Sequence, residues 1–171
     1  AALWGVSGFF RVQPDELGVV LRFGKFSHVV PSGLHFKLPL GVDVVRVVPV
    51  KRQLKQEFGF GTAGGGNTEQ ARPESEWLEE KSMVTGDLNA ALVEWVIQYR
   101  IERPDQYLFN VRNPDSTVRH ASESVMREVV GDRTVDEVIT IGRQEVEDEA
   151  LQKLRLLVTS YQMGIKVDQV Q

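Results

Sequence analysis

Three histidines, His28, His35 and His120, are the residues from which metal or hydrolytic chemistry would have to start. A zinc site on a helix needs His-x-x-x-His or His-Glu-x-x-His spacing, which sets two imidazoles on one face. None of the three has such a neighbour: His28 falls in a turn, His35 in a short strand and His120 in a helix. With no cysteine in 171 residues, thiolate nucleophiles, redox pairs and Cys-ligated zinc are excluded together. Ser122 and Ser124 flank Glu123, but neither stands in a Gly-x-Ser-x-Gly elbow, and a solvated helix face accounts for them. The run Glu145 to Glu149 lacks the positions of an EF-hand and reads as the acidic first turns of a helix. Gly59-Phe-Gly-Thr-Ala-Gly64 fits G-x-G-x-x-G, yet that fingerprint needs a helix N-terminus directly afterwards to receive a pyrophosphate. Gly65, Gly66, Asn67 and Pro73 follow instead, so the segment reads as a loop. The expectation is a chain with no catalytic residue, no cofactor and no metal.

The elements that would position any site are of two kinds. From Phe9 to Val50 the signals are β: Gly18 to Phe23 is rich in β-branched and aromatic residues, and Gly24-Lys25 turns it. Gly33 to Phe36 is a short strand between Pro31 and Pro39, and Val42 to Val50 is a strand that Pro49 sends to a sheet edge. Lys51 to Phe60 continues as a strand after that break. Residues 59–76, with five glycines and one proline, read as a flexible Gly-rich loop. Thr85-Gly-Asp87 turns the chain into one long strand from Asn89, in which Ala91, Val93, Trp95, Ile97, Tyr99 and Ile101 alternate with polar residues.

After Arg103 the period becomes helical. Pro104 to Phe109 makes one or two turns, and Asn113-Pro-Asp-Ser opens a helix that Gly131 stops. Thr134 and Glu137 have the spacing of a capping box. Arg143 to Tyr161 carries a longer apolar stripe, Gly164 ends it, and Ile165 to Val170 alternates as a closing strand. Strands first, helices later and a final strand predict an α+β fold: a mainly antiparallel sheet, then packed helices and a closing strand.

Charge narrows the function classes. The net charge of −4 argues against a nucleic-acid binder. That value is a sum of unlike parts: residues 1–56 carry eight basic side chains against three acidic ones, or +5, leaving −9 for residues 57–171. No run reaches the roughly 18 apolar residues of a complete membrane span. The uncharged start AALWGVSGFF lacks the basic opening of a signal peptide and suits a buried strand or the last turns of a membrane helix. Trp4, Phe9 and Phe10 followed by Arg11 have the composition of an interfacial belt.

Several segments, taken together and in order, resemble one family. They are Phe9-Phe-Arg-Val-Gln-Pro-Asp-Glu16, Gly18-Val-Val-Leu-Arg-Phe-Gly-Lys25, Pro31-Ser-Gly-Leu-His-Phe-Lys-Leu-Pro39, Val96-Ile-Gln-Tyr-Arg-Ile101 and Thr134-Val-Asp-Glu-Val-Ile-Thr140. The family is the stomatin, prohibitin, flotillin and HflK/HflC superfamily, whose shared unit is the SPFH, or band 7, domain. Tyr107 to Pro114 and Glu123 to Gly131 point within it to HflK-like members. The resemblance implies that residues 1–8 end an N-terminal transmembrane helix and that 9–171 form the SPFH domain. It further implies a non-enzymatic scaffold of the bacterial inner membrane, single-pass, with this domain on the periplasmic side. Its partners would be an HflC-like paralogue and the protease FtsH, in a cage that modulates FtsH. The other family role, a stomatin-like organiser of lipid without FtsH, stays open at this point. Trp4, Phe9, Phe10, Phe23 and Phe36 are the residues the resemblance places near membrane lipid. The Gly-rich segment 59–76 is longer than the family's usual link.

Overall fold

The computed structural model describes residues 8–38, 41–59, 74–140 and 142–171. Every strand pair in it is antiparallel. Strand β1 (Phe9–Val12) pairs with β4 (Gly33–Phe36) as a two-stranded ribbon. Strands β2 (Glu16–Arg22), β3 (Lys25–Val30) and β5 (Asp43–Pro49) form a three-stranded sheet in the order β3-β2-β5. Pro49 therefore lies at the end of an edge strand, where its missing N–H costs no ladder bond.

The second half supplies another three-stranded sheet, β10-β9-β6, from Ile165–Val170, Trp95–Ile101 and Leu54–Phe58. A short hairpin, β7 (Ser82–Val84) with β8 (Ala90–Leu92), stands beside it. Helices α1 (Glu74–Lys81), α2 (Pro104–Phe109), α3 (Pro114–Gly131), α4 (Val135–Thr140) and α5 (Arg143–Ser160) complete the α+β fold.

The core follows the periods of the sequence. In β9, Trp95, Ile97, Tyr99 and Ile101 are buried while Arg100 is exposed. Along α3, Val118, Ala121, Ser122, Val125, Met126 and Val129 face inward, and α5 meets them with Val146, Ala150, Leu154 and Val158. Phe58 stacks on Trp95 with ring centroids 4.6 Å apart and planes 7° from parallel. A separate small cluster of Val12, Val20 and Val30, joined by Phe10 and Val45, holds the ribbon to the first sheet.

Three elements differ from the sequence reading. The strand expected from Asn89 to Ile101 is two strands, because the partner changes: β8 pairs with β7, whereas β9 pairs with β10 and β6. Val93, at the break, donates its N–H to Lys81 O at 2.9 Å. Second, residues 74–76, assigned to the loop, open α1, whose last turn carries Lys81, as the helix dipole favours. Residues 60–73 of that loop lie outside the described residues. Third, α5 ends at Ser160, and Gln162 takes the left-handed conformation there (φ 51°). Gly164 (φ 67°) serves a different contact: an added Cβ would lie 2.2 Å from Arg103 O, whose own N–H donates to Gly164 O.

Candidate membrane-facing surface

The register of β1 with β4 sorts the N-terminal aromatics. Phe9 stands opposite Phe36 and Arg11 opposite Leu34, so these four share one face of the ribbon. Phe9 and Phe36 meet edge to face at 5.4 Å and stay 58% and 57% exposed, and Leu34 is 71% exposed. Phe10 turns to the other face, packing on Val12, Val20 and Val30 and against the His35 ring at 5.8 Å. It supports the ribbon from within. Trp4 lies outside the described residues.

Phe23 is held at the tip of the β2–β3 hairpin. Phe23 (φ 51°) and Gly24 (φ 79°) between the paired Arg22 and Lys25 make a type I′ turn. Asn-Gly is the usual choice there; a phenylalanine in the left-handed region costs roughly 1–2 kcal/mol. Its ring is nevertheless 79% exposed, so among the described residues little packing offsets that cost.

Asp43 ties this tip to the ribbon. Its buried carboxylate accepts from Arg22 Nε at 2.9 Å and from the Leu38 N–H at 3.1 Å, two residues past Phe36. Phe23 N–H donates to Val42 O at 2.8 Å. The Arg22 guanidinium, and then the Leu38 N–H, hold the Asp43 carboxyl below its usual range. The result is a group of exposed apolar side chains, Phe9, Phe23, Leu34, Phe36 and Leu38, bordered by the exposed cations Arg11, Arg22 and Lys25. Apolar rings with cations beside them suit the boundary between acyl chains and anionic head groups.

The residues tested for chemistry are dispersed. His28 contacts Ser27 Oγ at 3.1 Å, His35 contacts Pro31 O at 2.7 Å, and His120 lies 3.9 Å from Glu123. Among the described residues no three His, Asp or Glu side chains are placed to hold a metal. Ser122 is buried rather than solvated, and its Oγ accepts the Trp95 indole N–H at 2.8 Å. Its place three before Val125 and four after Val118 is the sequence signal for that burial. Ser124 is exposed. Three acids of the 145–149 run serve ion pairs: Glu145 and Glu149 bind Arg133, Glu147 binds Arg143, and Glu149 also meets Lys153.

An open cleft of about 650 Å³ separates the end of β5 from α2 and the start of α3. Within it Tyr99 and Tyr107 both donate to Asp115 Oδ1 at 3.3 Å. Burial first, and Asp115 next, push the Tyr107 hydroxyl up to about 12 and the Tyr99 hydroxyl further still. Ser116 Oγ, on the wall of the cleft, donates to Asn113 O at 3.2 Å. Of the motif Gly59 to Gly64, only Gly59 is described; the rest lies outside.

Among the described residues no helix is long and apolar enough to cross a membrane. Residues 10–171 match the family profile described as SPFH domain / Band 7 family. The Modulator of FtsH protease HflK of Escherichia coli K12 is 36% identical over 163 residues, 95% of this chain and 34% of that protein. Protein HflK of Treponema pallidum is 36% identical over 170 residues, 98% of this chain and 51% of that protein. Protein HflK of Borreliella burgdorferi is 32% identical over 166 residues, 97% of this chain and 52% of that protein. The chain thus spans about a third to a half of the length of these curated relatives.

Proposed function

The chain belongs to the SPFH domain / Band 7 family, and from that premise we propose that it is part of a membrane-anchored, HflK-like scaffold that modulates the protease FtsH. The single observation that carries the membrane side of this reading is the exposed group of Phe9, Phe23, Leu34 and Phe36 with its cationic border. Phe9 and Phe36 would dip into the head-group boundary together, Phe23 beside them, and Trp4 would lie on the anchor side. The protease side rests on the E. coli relative, which is named a modulator of FtsH protease.

In this reading the chain catalyses nothing. It assembles with copies of itself and with an HflC-like paralogue in the bacterial inner membrane, single-pass, its SPFH domain on the periplasmic side. The +5 front segment of one subunit faces the −9 remainder of the next, which sets their orientation. Cross-linking mass spectrometry on the full-length protein in its own membrane tests this: links to FtsH and to a paralogue are expected. Links to lipid and to further copies alone would favour the stomatin-like role instead.

A further inference from the structure

The cleft between the end of β5, α2 and the start of α3 has a chemistry that the scaffold reading does not use. Its volume of about 650 Å³ is that of a small-ligand site. Apolar side chains make up much of its wall: Val47 is 45% exposed, and Leu54 and Leu108 are half-buried.

The polar groups of the wall are short of donors. Tyr99 and Tyr107 commit their hydroxyl protons to Asp115 Oδ1, so the tyrosine oxygens can only accept further bonds. Asp115 is exposed, and among the described residues nothing donates to its Oδ2. Gln56 Nε2 donates to Asp115 O at 3.0 Å, which fixes the amide, and its buried Oε1 finds no donor among the described residues. The Ser116 N–H, at the start of α3, is already capped by Asn113 Oδ1 at 3.4 Å. Charge has the same sign. The basic side chains on the wall each face another acid: Lys55 meets Glu57 at 2.8 Å, Arg119 pairs with Glu80, and His120 lies 3.9 Å from Glu123. Among the described residues no cation pairs with Asp115.

We infer that the cleft binds a primary alkylammonium group, whose N–H groups donate to Asp115 Oδ2 and the Tyr107 hydroxyl oxygen and whose methylenes lie along Val47, Leu54 and Leu108. An ammonium is all donor and no acceptor, the complement of this wall. Its carbon stem packs on apolar surface while the charged end keeps polar partners. Lysine side chains of a partner polypeptide and free alkylamines share this chemistry. Lipid head groups are a poor source. The cleft lies at the Pro49 end of β5, and the exposed aromatics lie near its Asp43 end, roughly 20 Å away along the strand. The site stands apart from the scaffold reading, which its failure would leave untouched.

Saturation-transfer NMR on the full-length protein in lipid nanodiscs tests this, with empty nanodiscs as the blank. The probes are acetyl-Gly-Lys-Gly-amide, the same peptide with norleucine in place of lysine, and n-butylammonium. The lysine peptide should show saturation at its δ and ε methylenes, and the norleucine peptide none. Asp115→Asn, which keeps an acceptor for both tyrosines, should weaken binding of the lysine peptide by about tenfold or more. Val47→Trp, which fills the cleft and leaves Asp115 in place, should do the same. n-Butylammonium should displace the peptide. Similar affinities for the two would mark a free amine as the source and a much tighter peptide a partner's lysine; either supports the site. No saturation of the lysine peptide, equal saturation of the norleucine peptide, or a lysine signal that survives both substitutions overturns it.

Discussion

The Trp95 indole N–H donates to Ser122 Oγ at 2.8 Å across the buried contact between β9 and α3. A serine that looks like a candidate nucleophile beside Glu123 is thus a core acceptor, positioned by the same ring that stacks on Phe58. Replacing Ser122 with Ala should destabilise the fold by about 1–3 kcal/mol in urea titrations, since a buried donor loses its acceptor. A nucleophile would behave oppositely, with an activity lost and stability unchanged.

Arg119 concentrates three contacts. It ion-pairs with the buried Glu80 of α1, donates to Glu57 O, and lies over the Phe58 ring at 4.5 Å from its centroid. Arg119→Met should cost about 3–5 kcal/mol, because Glu80 is left as an unpaired buried acid. Adding Glu80→Gln should recover part of that loss. A double variant no more stable than Arg119→Met would contradict the pairing.

Glu123 carries a pH dependence. Burial first, and then the neighbouring Glu80 carboxyl, hold its pKa above the usual range. The folded state therefore keeps a proton that the unfolded chain releases at about 4.3, and stability attributable to this group falls as pH rises through the raised value. Glu123→Gln should match the parent's Tm near about pH 4 and exceed it at neutral pH. Equal Tm values at neutral pH would remove the argument.

Phe23 links stability to membrane contact. Phe23→Asn places the preferred residue in the type I′ turn and should stabilise the fold by about 1 kcal/mol. The same change removes an exposed ring, so binding to anionic vesicles should weaken by about tenfold. Vesicle sedimentation and thermal unfolding on one variant check both signs. A loss of stability with unchanged vesicle binding would contradict the role given to the tip.

Local signals were legible. Thr134 and Glu137 form the capping box that their spacing predicts, Thr134 N–H to Glu137 Oε2 at 2.8 Å and Glu137 N–H to Thr134 Oγ1 at 3.3 Å. Asn113 caps α3, and the period-2 burial of Trp95 to Ile101 follows from alternation alone. What the sequence hid depends on partners distant in the chain. The break at Val93 arises because β7 and β10 claim different parts of one alternating run. The opposite fates of Phe9 and Phe10 follow from the register of β1 against β4, which a run of two phenylalanines does not encode. Gly164 looked like a helix stop because it follows one; its real constraint is the backbone of Arg103.

The central claim, a scaffold that acts on FtsH, is tested most directly by affinity purification of the full-length protein from gently solubilised native membranes. The account predicts that FtsH and an HflC-like chain are recovered with it in fixed proportion. A preparation holding further copies and lipid, but no FtsH, would contradict it.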